Sequence, residues 1–157
     1  MLNRPMRRAK NAVTDPAELE RIIRASPVMR LAMSQNDEPY VVPLSFGYDG
    51  AALYFHGATQ GLKLDILRRN PRVCCLFEHG LALAPKGDNP CAWGFTYATV
   101  IAHGIARHIE EPARKLAALQ IIADQYARQG ERVPGEHIGN VEVWKIEILK
   151  MTGKQAG

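Results

Sequence analysis

The stretch from Leu53 to Phe77, LYFHGATQGLKLDILRRNPRVCCLF, limits the fold more than any other part of the chain. It opens with a β-rich run, Leu53 to Phe55, and breaks at His56-Gly57. The loop Ala58-Thr59-Gln60-Gly61 then leads into a helix-like segment carrying Lys63. That segment stops at Asn70-Pro71, because the residue before a proline is pushed out of helical space. A second β-rich run, Val73 to Phe77, follows. This order sets a helix N-terminus beside a strand end. Free N–H groups and the helix dipole favour an anion there, and Lys63 adds a full charge, so the segment suits a phosphate. The same residue types also suit an ordinary crossover helix with one surface lysine, since neither a Walker motif nor a GxGxxG fingerprint is present.

Around this block the chain reads as short strands and a few helices. Asp15-Pro16-Ala17-Glu18 is a helix start, with Asp15 as cap, Pro16 at the first position and Glu18 completing a capping box. Leu19, Ile22 and Ile23 make its apolar face, and Ser26-Pro27 ends it near Ala25. Val28 to Ser34 and Tyr40 to Tyr48 are the first two strands, joined by the polar turn Gln35 to Pro39. Asp49-Gly50 is a hairpin turn, and Ala51 to His56 returns as the third strand. Pro43 cannot donate to a ladder, so it marks an edge, a bulge or an opening for a ligand.

Beyond the fourth strand, Gly80 to Ala92 carries two prolines and two glycines and reads as a loop, mobile or on a site rim. Trp93 to Ile109 is β-like, with Gly104 as a bulge. Glu110-Glu111-Pro112 opens the longest helix, whose buried stripe is Leu116, Leu119, Ile122 and Tyr126 and whose end is Gly130. Val141 to Met151 is the last strand, with a bulge expected near Trp144. Six strands joined mostly as antiparallel neighbours favour a small barrel with helices outside. A doubly wound parallel sheet would need a helix between most strands, and the first three are joined by tight turns.

At 157 residues, with 46% apolar and 23% charged residues, the chain suits one domain, residues 1–157. No run approaches the roughly 20 apolar residues of a membrane span. Much of the +4 charge sits in residues 1–13, with Arg4, Arg7, Arg8 and Lys10. No basic or aromatic stripe continues that segment, so it reads as a flexible, solvated tail and not as a nucleic-acid arm. Cys74, Cys75 and Cys91 are odd in number and lack CxxC spacing, which points to reduced thiols in a cytoplasmic protein with no metal site.

The run PYVVPLSFGYDGAALYFHGATQGLKLDILRRNPRVCCLFEH resembles the FMN-binding split-barrel superfamily of pyridoxamine phosphate oxidases. Its closer likeness is to the nitroimidazole-resistance proteins and related flavin-nucleotide-binding proteins. MRRAKNAVTDPAELERII, CAWGFTYATVIAHGIARHIEE and VEVWKIEILKMTGK carry the likeness across nearly the whole chain. The resemblance implies a mainly β (α+β) fold, a six-stranded antiparallel split barrel with flanking helices, and a homodimer holding two FMN molecules between its subunits. It implies further that Pro43, Leu44, Ser45 and Phe46 lie along the flavin ring. His56, Gly57 and Ala58 would meet the ring and ribityl chain, Lys63 would hold the phosphate, and Thr99 would add a polar contact. Two departures stand out. Leu62 occupies the place where the oxidases put an arginine before the phosphate lysine. The chain ends at Gly157 without the segment that grips pyridoxamine phosphate in the oxidases, so that substrate is not expected.

FMN brings its own redox chemistry, and the protein has only to bind, orient and tune it. His56 is the expected catalytic side chain, matching a histidine beside the flavin in the nitroimidazole-resistance proteins. His79, His103 and His108 read as surface or strand-end residues. Trp93, Phe95 and Tyr97 either cover the flavin or a substrate from the partner subunit or pack in the interface, where aromatics are enriched. The function expected is an FMN-dependent oxidoreductase acting on a small molecule, with nitro reduction as the leading activity. A flavin-binding module without turnover and a haem-binding split barrel are the alternatives.

Overall fold

Asp15 accepts a hydrogen bond from the Ala17 amide at 3.0 Å and Pro16 fills the first helical position, so a helix begins at Pro16 in the computed structural model, which describes residues 6–128 and 130–157. In chain order the elements are β1 (Ala12–Val13), α1 (Pro16–Ala25), β2 (Met29–Gln35), β3 (Glu38–Leu44), β4 (Gly47–Tyr48), β5 (Ala52–Gly57), α2 (Leu62–Arg69), β6 (Arg72–Ala84), β7 (Gly94–Ile109), α3 (Pro112–Asp124) and β8 (Glu142–Ala156). The strands form one sheet in the order β3-β2-β6-β7-β8-β5-β4, with β1 also paired to β8. Every pairing is antiparallel.

The barrel follows from one connection. β3 and β4 stand at opposite ends of the strand order, yet only Ser45 and Phe46 separate them in sequence. Three Cα steps span at most about 11 Å, so the sheet must roll until its edges nearly meet. The edges do not pair with each other. The result is a split barrel.

The strand count is eight, not six. β1 is additional, and the expected strand Tyr40 to Tyr48 divides into β3 and β4 at Ser45-Phe46. Pro43 lies on β3, an edge strand, which is where a sheet tolerates a proline. The hairpin turns fall where expected, with Asn36, Asp37 and Gly50 at positive φ. The segment Gly80 to Ala92 is not a plain loop. β6 continues to Ala84 and pairs with β7 as far as Gly94, making a long arm beyond the barrel. The bulge at Gly104 is present, and its extra residue on β8 is Leu149, so the bulge expected near Trp144 lies farther along the strand. β8 runs on to Ala156, past the expected end at Met151.

Two apolar layers result. Phe46, Leu53, Phe55, Phe77, Val100, Trp144 and Ile146 fill the barrel with Leu19, Ile22 and Ile23 of α1. Ala52, Tyr54, Ile109 and Val143 face α3 through Ala118 and Ile122. In α3, Glu111 caps the Ala113 and Arg114 amides, the helix ends at Asp124 well before Gly130, and Tyr126 is exposed and not part of a buried stripe. Glu18 bonds Arg21 and completes no capping box. Cys75 is in the core and Cys74 on the opposite face. Among the described residues no helix is long and apolar enough to cross a membrane. Of the expected tail, residues 1–5 lie outside the described residues, and Ala12 and Val13 pair with β8.

Candidate functional site

β5 sorts the central residues by alternation. Phe55 belongs to the barrel layer and Tyr54 to the layer under α3, so Gly57 follows Phe55 on the barrel face and His56 follows Tyr54 on the other. The loop then turns back, and Gly61, at φ +134°, caps α2 without a side chain to bond the first amides. Lys63 in that first turn reaches back over β5. Its Nζ lies 5.4 Å from the centre of the Phe55 ring. A Cβ built on Gly57 would stand 3.0 Å from the same Nζ, so a larger residue there would crowd the lysine's seat and make its flexible end shift.

The electrostatics of Lys63 are one-sided. The residue is half-buried, and burial holds its pKa below the ordinary lysine value. Among the described residues, no carboxylate pairs with it. A cation partly withdrawn from water without a counter-ion is a poor device for stability and a good one for an anion that arrives from solution.

His56 pairs with Val143 of β8 in register. Desolvation, with a smaller push from the Lys63 charge, holds its imidazole below the ordinary value, so it is mainly neutral at pH 7. Ala58 is exposed beyond the strand end.

Of the residues expected along the flavin ring, Pro43 and Ser45 are exposed, Leu44 is half-buried and Phe46 is fully buried. Phe46 packs edge-on against Phe77 with ring centres 5.0 Å apart, so its side chain belongs to the core and offers no surface to a ligand. Its amide donates to the Tyr126 hydroxyl at 3.0 Å. Tyr126 therefore reaches this segment, a role its place on a helical stripe did not reveal.

Thr99 does not join this cluster within one chain. It pairs with Lys154 near the end of β8 and donates to that residue's carbonyl at 3.2 Å, whereas His56 faces Val143 near the start of the same strand. Trp93 and Phe95 lie exposed on the β6–β7 arm. A separate groove of about 300 Å³, lined by Ala32, Cys74, His103 and Leu149 among others, includes no residue of β5 or α2.

Sequence reasoning passed over Glu142 and read His108 only as a surface or strand-end residue; His108 is exposed on β7. Glu142 lies directly across β8 from Gly57, on the barrel face, and its Oε2 rests against His108 Nε2 of β7. His108 in turn faces Trp144 with ring centres 5.1 Å apart, and Trp144 stacks on Phe55 at 6.4 Å. Their positions depend on strand register, which no local motif encodes.

Residues 15–155 match the family described as pyridoxamine 5'-phosphate oxidase. The crystal structure of a candidate 5-nitroimidazole antibiotic resistance protein from Bacteroides thetaiotaomicron superposes with TM-score 0.79 at 30% identity, covering 91% of this chain and 85% of that one. A flavocytochrome from Azotobacter vinelandii shares the fold at TM-score 0.83 and 20% identity, over 98% of this chain and 72% of that one. An uncharacterized protein of Rhizobium meliloti is 36% identical over 56 residues, or 36% of each chain. The match thus spans about a third of the length of that curated relative.

Proposed function

The chain belongs to the pyridoxamine 5'-phosphate oxidase family, and we propose that it binds FMN as a homodimer and acts as an FMN-dependent oxidoreductase, with nitro compounds as its leading acceptors. The observation that carries this reading is the half-buried Lys63 ammonium, seated over Gly57 and paired with no carboxylate among the described residues. A phosphate monoester supplies the missing charge, and the first amides of α2 add donors beside it. With Leu62 where the oxidases place an arginine, the phosphate leans more on Lys63 and those amides, with Thr59 or Thr99 as a further polar contact.

Flavin supplies the electron transfer when bound. The chain's own residues bind and orient it. Pro43 and Ser45 expose the edge of β3 and the segment after it as a surface for the ring, with Leu44 beneath and the Phe46 backbone held by Tyr126. Gly57 and Ala58 leave room for the ribityl chain. His56 holds a proton-exchanging group at the end of β5, and reduction of a nitro group takes up protons as well as electrons. Thr99, on β7 opposite the far end of β8, reaches FMN in this reading from the partner subunit. The likeness to the Bacteroides protein supports a nitro acceptor.

The test is titration of the purified protein with FMN, read by flavin absorbance and fluorescence, followed by turnover with a chemical reductant and a nitroaromatic acceptor. Saturable FMN binding with acceptor turnover is expected. Binding without turnover would make the protein a flavin-binding module, and failure to bind FMN would remove the reading altogether.

A further inference from the structure

We propose that His108 is a positioning residue that holds Glu142 away from Lys63 and thereby keeps the lysine available to a phosphate. The inference rests on the reading of Lys63 as the phosphate-binding group. Gly57 and Glu142 are directly opposed on β5 and β8, so their Cβ positions would be about 4.5–5.5 Å apart on the same face. The Lys63 Nζ stands 3.0 Å from the Gly57 Cβ position. The ammonium is thus no more than about 8.5 Å from the Glu142 Cβ, a separation that the glutamate side chain and a small shift of the flexible lysine together close. Yet Glu142 does not pair with Lys63, and the lysine's pKa is set by burial with no carboxylate acting on it. The Glu142 carboxylate is turned instead to His108, with Oε2 against Nε2 and no other ion-pair partner among the described residues.

His108 is itself held from two other directions. Its ring faces Trp144 at 5.1 Å, and its Nδ1 is 3.6 Å from Glu110 Oε1. The side chain of Glu142 is only 18% exposed, so the carboxylate has little access to water and needs a protein partner. Two partners are within reach. If His108 did not take it, Lys63 would, and the internal carboxylate would compete with the phosphate for one cation. The pair His108–Glu142 therefore determines how strongly the site favours a phosphorylated flavin over an unphosphorylated one.

The experiment measures dissociation constants for FMN and riboflavin by fluorescence titration of the full chain. The variants are Lys63→Ala, His108→Phe, Glu142→Gln and the double variant His108→Phe/Glu142→Gln. Phenylalanine keeps an aromatic ring against Trp144 while removing the nitrogen that meets Glu142. His108→Phe is expected to weaken FMN about tenfold, the scale of one partly buried charge contact, and to leave riboflavin unchanged. Adding Glu142→Gln should restore FMN affinity, because no carboxylate remains to compete. Equal losses for both flavins would mean that His108 is only structural, and an FMN defect that persists in the double variant would mean that His108 acts without Glu142. Either result overturns the inference. If Lys63→Ala leaves the FMN-to-riboflavin ratio unchanged, the phosphate reading itself fails, independently of what His108 does.

Discussion

Lys63 and His56 sit within reach of each other's fields but do different work. Burial lowers both pKa values, and the Lys63 charge lowers that of His56 further. At pH 7 the imidazole is therefore mostly neutral, and its acid form becomes abundant only below the ordinary value of about 6.5. If His56 delivers a proton to the acceptor, the His56-dependent part of turnover should rise as pH falls, with a midpoint below about 6.5. His56→Ala, saturated with FMN, should abolish that rise and lower turnover by about 10²- to 10⁴-fold. Unchanged turnover across the pH range would leave His56 without a catalytic role. Stability carries the same signature. The unfolded chain holds more protons on this residue below about 6.5, so stability is lost as pH falls from there through the lower folded value. Denaturant melts at several pH values should show a shallower acid loss in His56→Ala.

α3 and the β3–β4 break form one unit at the scale of elements. The Ile121–Ile122 backbone of α3 lies against Gly47, where an added Cβ would stand 2.6 Å from the Ile121 carbonyl. Gly47→Ala must push helix and strand apart and should cost about 1–3 kcal/mol by urea denaturation. FMN affinity should fall with it, because Ser45 and Phe46 precede that contact. A variant as stable as wild type would show that α3 yields freely. Much of this level was legible in the sequence. α1, α2, the Asp49-Gly50 turn and the Gly104 bulge are announced by local residue chemistry, and so was Lys63 at a helix start. The split of one strand into β3 and β4 was not, because Ser45-Phe46 carries no breaker and the pairing partners come from distant parts of the chain. The arm beyond His79 was hidden for a related reason. Its prolines and glycines read as loop, while a ladder with Thr96, Phe95 and Gly94 makes it strand. The His108–Glu142 contact depends on the register of β7 against β8 and had no local signal at all.

The outer face of the sheet, which α3 covers at Ala52, Tyr54, Ile109 and Val143, also carries exposed apolar residues. Val41, Ile101 and Leu149 are 60%, 38% and 56% exposed on it or at its edge, and Leu81, Leu83, Trp93 and Phe95 are exposed on the arm. Apolar exposure of this kind marks an interface, and a two-stranded arm has little stability alone. The proposed homodimer would cover this face and bring Thr99 toward a partner's Lys63. Sedimentation should give twice the chain mass, and Ile101→Glu should yield monomers with weakened FMN binding. A monomeric wild type that binds FMN tightly would remove the shared site. The claim on which the rest depends is that Lys63 holds a phosphate, and comparison of FMN with riboflavin tests it most directly. In Lys63→Ala, FMN affinity should fall about 10- to 100-fold, the loss of one charge-assisted contact, while riboflavin binds both proteins alike. An FMN affinity equal to that of wild type would contradict the account.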